Sequence, residues 1–349
     1  MPLDERDLLK VNSNQHAAFE SLQRRVLLST RMVGSTLRIV GTDEVDIVII
    51  AASKTQAGNL TVSENQQTVD FPTAAITNIE VRSHGGDDKV WIDASLDALA
   101  YPSFIDAGAG IDIVTTGMGK DRIYGGEGND KIYSNGGNDT VYGGGGKDLI
   151  VGGGSRDKLF GEGHDDRLFG SAGNDYFNGG QGNDRLDGAA GDDYFTNEPG
   201  IQTVYAGDGN DDIWSGGVIW CGAGSDHTMG GTKVYGEEGN DRLEDVRYAW
   251  GGDGNDTIDG GWWDNELRGD AGDDFIDGSR GNDVILGGAG NDALYGGSDS
   301  DVIWGEDGND NLYGSYGKTY GSGNPVASSD KDIGSVRQER TGGMKIGLG

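Results

Sequence analysis

The chain is expected to be all-β: a β-solenoid of stacked nonapeptide repeats with an irregular β cap at its N-terminal side. Three observations predict this. From Thr116 to Thr196 the sequence repeats every nine residues, as G-G-x-G-(N/D)-D-x-U-x with U apolar. Glycine supplies 66 of 349 residues, against an ordinary share of roughly 7%. The formal net charge is −32, and a chain this acidic and this poor in apolar residues stays unfolded unless something neutralises it. A fixed short period is the mark of a repeat architecture, so it governs the interpretation of everything else.

Residues 1–34 differ in texture from the rest. Phe19, Leu22, Val26 and Leu27 fall on one face of a short helix, with Arg24, Arg25 and Arg31 nearby. The apolar run Val26-Leu27-Leu28 is too short for a secretory signal. Ser21-Leu22-Gln23-Arg24-Arg25-Val26-Leu27-Leu28-Ser29 resembles the LEPR-XLL motif near the N-termini of some large exported bacterial proteins. It departs at Gln23 and Arg24, where that motif has Glu and Pro.

Residues 35–115 form the expected irregular cap. Leu37–Val40, Val45–Ile50, Leu60–Val62, Thr68–Phe71 and Ile76–Val81 are rich in Val, Ile and Thr and predict strands. Gly41–Ile49 scans as a degenerate repeat, Ser83–Trp91 (with Asp88) as another, and Ala107–Thr115 (with Asp112) as a third. A solenoid needs covered ends, because an open rung exposes both its core and its strand edge.

Residues 116–320 are the solenoid itself. In each unit the first six positions make a turn, since Gly, Asn and Asp tolerate φ > 0. The last three, x-U-x, make a short strand with U on one face. Ile123, Ile132, Val141, Ile150, Leu159, Leu168, Phe177, Leu186 and Phe195 fill U in order. One apolar residue per strand makes a core only if successive strands alternate between two facing sheets. Eighteen residues then close one rung, with rungs about 4.8 Å apart.

The sixth position is almost always Asp, and alternation sorts these residues onto two edges. One edge carries Asp121, Asp139, Asp157, Asp175, Asp193, Asp211, Asp226, Asp241, Asp256, Asp274, Asp292 and Asp310 without a gap. The other carries Asp112, Asp130, Asp148, Asp166 and Asp184, then Gln202, three turns shortened by three residues, Asn265, and finally Asp283 and Asp301. The shortened units are Ser215–Trp220, Gly230–Tyr235 and Asp245–Trp250, so the rungs there span fifteen residues and the roll should narrow. Stacked carboxylates repel. A hard divalent cation relieves this, and Ca²⁺ accepts six to eight oxygens in flexible geometry where Mg²⁺ demands a strict octahedron. The expectation is a continuous calcium row on the first edge and a gap between Asp184 and Asp283 on the second.

These units resemble the RTX, or haemolysin-type, calcium-binding nonapeptides, over roughly residues 83–313. The resemblance implies a parallel β-roll, many bound Ca²⁺ and a protein that works outside the cell or on its surface. About fifteen Ca²⁺ would bring some +30 of charge, so metal binding and folding become one event. Residues 321–349 lose the pattern and are expected to be a disordered tail.

Other chemistry is sparse. His16, His84, His164 and His227 never form H-E-x-x-H, and no G-x-S-x-G nucleophile elbow occurs. Gly317-Lys318-Thr319 ends like a phosphate-binding loop but has Leu312 where the motif needs Gly. Cys221 is the single cysteine, on a glycine position of the repeat, which excludes an internal disulfide. The acidity argues against nucleic acid as a partner, and no apolar run is long enough for a membrane helix. No enzyme is expected; the alternative is a polysaccharide-modifying enzyme built on the solenoid, as in RTX-bearing polysaccharide epimerases, for which no separate catalytic segment is found. Outward-facing Tyr205, Trp220, Tyr235 and Trp250 recur at rung spacing beside the gap. Such a ladder is a candidate face for polysaccharide or cell-surface components. Tyr124, Tyr133, Tyr142, Phe160 and Phe169 recur in the same way elsewhere and suggest that the rings merely stiffen the sheet.

Overall fold

A computed structural model describes residues 29–93, 100–196 and 200–320, with side chains through 314. The segments read above as an N-terminal helix and a C-terminal tail lie outside these residues except for 29–34. The fold is all-β, 61% strand, with parallel coils stacked into a solenoid of about 12 turns. The sole helical element among the described residues is the 3-10 turn Thr73–Ala75. No helix among them is long and apolar enough to cross a membrane.

The repeat dictates the register. Strand Arg122–Glu127 lies between Ser103–Ala109 and Thr140–Gly145, with Ile123 opposite Ile105 and Val141. In the facing sheet Lys131–Tyr133 lies between Ile113–Thr115 and Leu149–Gly154, with Ile132 opposite Val114 and Ile150. Each apolar U residue therefore meets its equivalent one rung above and below. All nine from Ile123 to Phe195 are 0% exposed. The core is a single file of branched and aromatic side chains, and Phe177 and Phe195 stack in it with centroids 4.6 Å apart.

The short rungs lie where the sequence places them. Val204 pairs with Ile219, Ile219 with Val234, and Val234 with Ala249, fifteen residues apart each time. Ala249 then pairs with Leu267, and the eighteen-residue spacing returns. Smaller side chains, Thr228 and Ala249, occupy the core of this narrower stretch, and Val246 from a shortened turn is buried beside them.

The parallel register also runs back into the region expected to be an irregular cap. Leu37 pairs with Ile79, and Val81 with Ile105. Val48 pairs with Val90, and Val90 with Val114. The first of these spacings is long because an antiparallel excursion, Asn59–Glu64 with Gln67–Pro72, is inserted after Ile47–Ala52. Asn59–Glu64 covers the open edge of one sheet, and Arg31–Val33 pairs antiparallel with Thr36–Val40 to cover the other. Covered edges remove the template that an end rung would otherwise offer to another chain.

Candidate metal centre

The turn Gly125–Asp130 shows why the motif reads as it does. Gly126 and Gly128 have φ of 112° and 141°, which side chains rarely adopt. A Cβ on either would overlap a carbonyl of the rung before, Gly108 or Gly110. Gly125 is needed for space: its Cβ would sit 2.6 Å from the Asp130 carboxylate, which folds back beneath its own turn.

Each turn Asp then divides its two oxygens between two tasks. Oδ1 of Asp130 accepts the backbone N–H of Asp112 at 2.8 Å, and the N–H of Asp130 donates to Oδ1 of Asp148 at 2.8 Å. Oδ2 of Asp130 is buried and has no hydrogen-bond partner. The same division recurs along both edges. On the first edge the ladder is unbroken from the N–H of Ser103 on Asp121 to the N–H of Asp292 on Asp310, at 2.7–3.2 Å. On the second it runs through Asp112, Asp130, Asp148, Asp166 and Asp184 to Oε1 of Gln202, and resumes from the N–H of Asn265 on Asp283 to Asp301. All nineteen expected aspartates are at most 2% exposed, and each leaves Oδ2 orphaned.

Electrostatics follow from this stacking. Burial first, and neighbouring carboxylates next, push Asp139, Asp166 and Asp193 up to about 8. Asp130 and Asp274 are pushed to about 7 by burial and the flanking aspartates. A buried carboxylate oxygen without a donor is costly. Two rows of them, set among inward carbonyls such as that of Gly143 beside Gly125, form an all-oxygen donor set of the kind that Ca²⁺ prefers. Among the described residues no three His, Cys, Asp or Glu side chains converge on one point. An ion held here takes the remainder of its ligands from the backbone.

Residues 103–132, 124–159, 160–195, 199–217, 248–262, 264–294 and 286–317 match the RTX calcium-binding nonapeptide repeat. The chain belongs to this family. The stretch 218–247, which these matches pass over, is where the rungs of this RTX roll are shortened. No curated protein matches the chain.

One member of the RTX roll's rows was missing from the expected ligand set. Asp88 accepts the N–H of Asp46 at 2.7 Å, donates its own to Asp112 at 2.7 Å, and leaves Oδ2 buried and unpartnered. Its signal was present, as the sixth position of Ser83–Trp91. Asp46 begins the row, but both its oxygens are satisfied, Oδ2 by the N–H of Thr42 at 2.7 Å and Oδ1 by Nδ2 of Asn65 at 3.0 Å.

The four aromatic residues of the ladder pack against one another. Tyr205, Trp220, Tyr235 and Trp250 stack nearly parallel, with centroids 4.7, 5.5 and 4.6 Å apart. The guanidinium of Arg185 lies 4.5 Å over Tyr205. The inner ring faces are turned on one another, with no space for a sugar ring between them. Tyr124, Tyr142 and Phe160 form a second such stack at 4.8 Å. The most exposed aromatic side chains among the described residues are Trp262 and Trp263, 70% and 63% exposed in the turn before Asn265, with the guanidinium of Arg280 4.1 Å over the Trp262 ring. His227 holds a cross-rung contact, its Nδ1 3.1 Å from Oδ1 of Asp212. Cys221 is buried, and burial and nearby carboxylates push its thiol well up.

Proposed function

We propose that this RTX protein is exported and non-catalytic, that it folds on binding Ca²⁺ through its two aspartate rows, and that it serves at the cell surface or in the extracellular matrix. The observation that carries this reading is the repeated orphaned Oδ2: rung after rung buries a carboxylate oxygen that no protein donor satisfies. Ca²⁺ supplies charge neutralisation and binds several oxygens at once. The glycine turns hold the carbonyls and carboxylates together, and the Oδ1 ladder keeps successive turns in register. Millimolar calcium outside cells then favours the folded roll, while low calcium inside leaves an exportable chain.

Far-UV circular dichroism during a Ca²⁺ titration of chelator-treated protein tests this, with Mg²⁺ as control. A steep, calcium-specific passage from coil to β is expected. A β spectrum that persists unchanged in chelator would remove the coupling of folding to metal.

A second reading, binding of a polysaccharide or surface component, is favoured by the exposed pair Trp262–Trp263 rather than by the stacked ladder. Replacing both with Ser should abolish retention on the polymer that the wild-type protein binds. Equal retention by the double variant would dismiss these residues as the contact.

A further inference from the structure

The calcium rows have chemically defined ends. Asn265 stands where the first full turn follows a shortened one. At regular turns the rung before offers a backbone N–H, which a carboxylate accepts. Before Asn265 that rung offers a carbonyl instead, because the N–H of Arg247 is directed to the carbonyl of Gly231. Nδ2 of Asn265 donates to Val246 O at 2.7 Å and to Gly260 O at 3.1 Å. The two carbonyls decide which amide atom is nitrogen. Gln202 ends the row on the other side of the gap. Its Oε1 accepts the N–H of Asp184 at 3.0 Å, so its Nε2 takes the place of the orphaned carboxylate oxygen, buried and without a partner. Gln202 thus brings a donor where the other turns bring a carboxylate oxygen, whereas Asn265 keeps an oxygen there, its buried and unpartnered Oδ1, without the negative charge. Asp46 closes the far end of the same row with protein donors, its Oδ2 accepting the N–H of Thr42 at 2.7 Å.

We propose that Gln202 and Asn265 are the residues that determine where the second calcium row stops, Gln202 by setting its Nε2 where a regular turn sets a ligand oxygen, and Asn265 by removing the charge there and tying the turn to the Val246 carbonyl. This rests on the reading of the rows as calcium sites. A metal at Gln202 would meet an N–H donor in place of an oxygen, and a metal at Asn265 would gain no charge. An aspartate at 265 would instead set a carboxylate oxygen against Val246 O and require a cation between them. The gap is therefore held closed on this edge without metal, while the opposite edge keeps its row.

The test is bound calcium per chain, by elemental analysis after dialysis, in wild-type protein, Asn265→Asp and Gln202→Asp. Each variant should bind about one more Ca²⁺ than wild type. Asn265→Asp should also need a higher calcium concentration to reach its β spectrum. If wild type binds calcium and neither variant binds more, the proposal is overturned. If wild type itself binds none, the underlying reading of the rows fails instead. Should Asn265→Asp not fold in saturating calcium, the count for Gln202→Asp decides.

Discussion

At the scale of the residue, the turn aspartate is the working part, and its environment sets a pH dependence. Asp139, Asp166 and Asp193 reach about 8 through burial and like-charged neighbours, and Asp121, Asp148 and Asp175 reach about 6, mainly through burial. In the unfolded chain these groups titrate near about 3.9. A folded value above the unfolded one means that the proton favours the fold. This stability is full below about pH 4 and is lost as pH rises through 6 to 8. Calcium-free protein should therefore carry more β signal at pH 5 than at pH 8, since protons neutralise the rows that metal otherwise would. Circular dichroism of calcium-free protein at the two pH values checks this, and a larger β signal at pH 8 would contradict it.

At the scale of the element, a strand of three residues contributes one core side chain, so each rung depends on its neighbours. Phe177 and Phe195 share a stacked contact and are both fully buried. Phe177→Ala removes that stack and leaves a void that two flanking strands cannot fill, at a cost of about 3–5 kcal/mol. Urea denaturation in saturating calcium should show this loss, and a change under about 1 kcal/mol would mean that the coil collapses around the gap. The outer aromatic stacks act similarly along the sheet, each ring pair adding about 0.5–1.5 kcal/mol.

At the scale of the whole molecule, −32 charges oppose a core one residue thick per sheet. Solenoid stability sums local rung terms and nearest-neighbour interfaces, and here the interfaces are charged until neutralised. Small-angle scattering should show a large contraction when calcium is added, from an expanded coil to a rod. An unchanged radius of gyration across the titration would show that the interfaces hold without metal. The covered strand edges at the N-terminal end predict that the folded rod does not extend by end-to-end strand pairing there.

What the sequence determined by itself is the part that depends on period. Nine-residue spacing places Ile123, Ile132 and their successors inside, sorts the aspartates onto two edges, and locates the shortened rungs, because each consequence follows from counting along the chain. Asp88 was within reach of the same counting. What only the tertiary structure decided depends on partners from other rungs. Tyr205, Trp220, Tyr235 and Trp250 carry the same spacing whether their faces are free or stacked, and only the ring separations show them stacked. The excursion Asn59–Glu64 with Gln67–Pro72 breaks the period, so counting loses the register that joins Leu37 to Ile79. The hydrogen bonds of Asn265 depend on whether the neighbouring rung presents an N–H or a carbonyl. That is a property of backbone direction at a shortened turn, and no spacing of side chains encodes it.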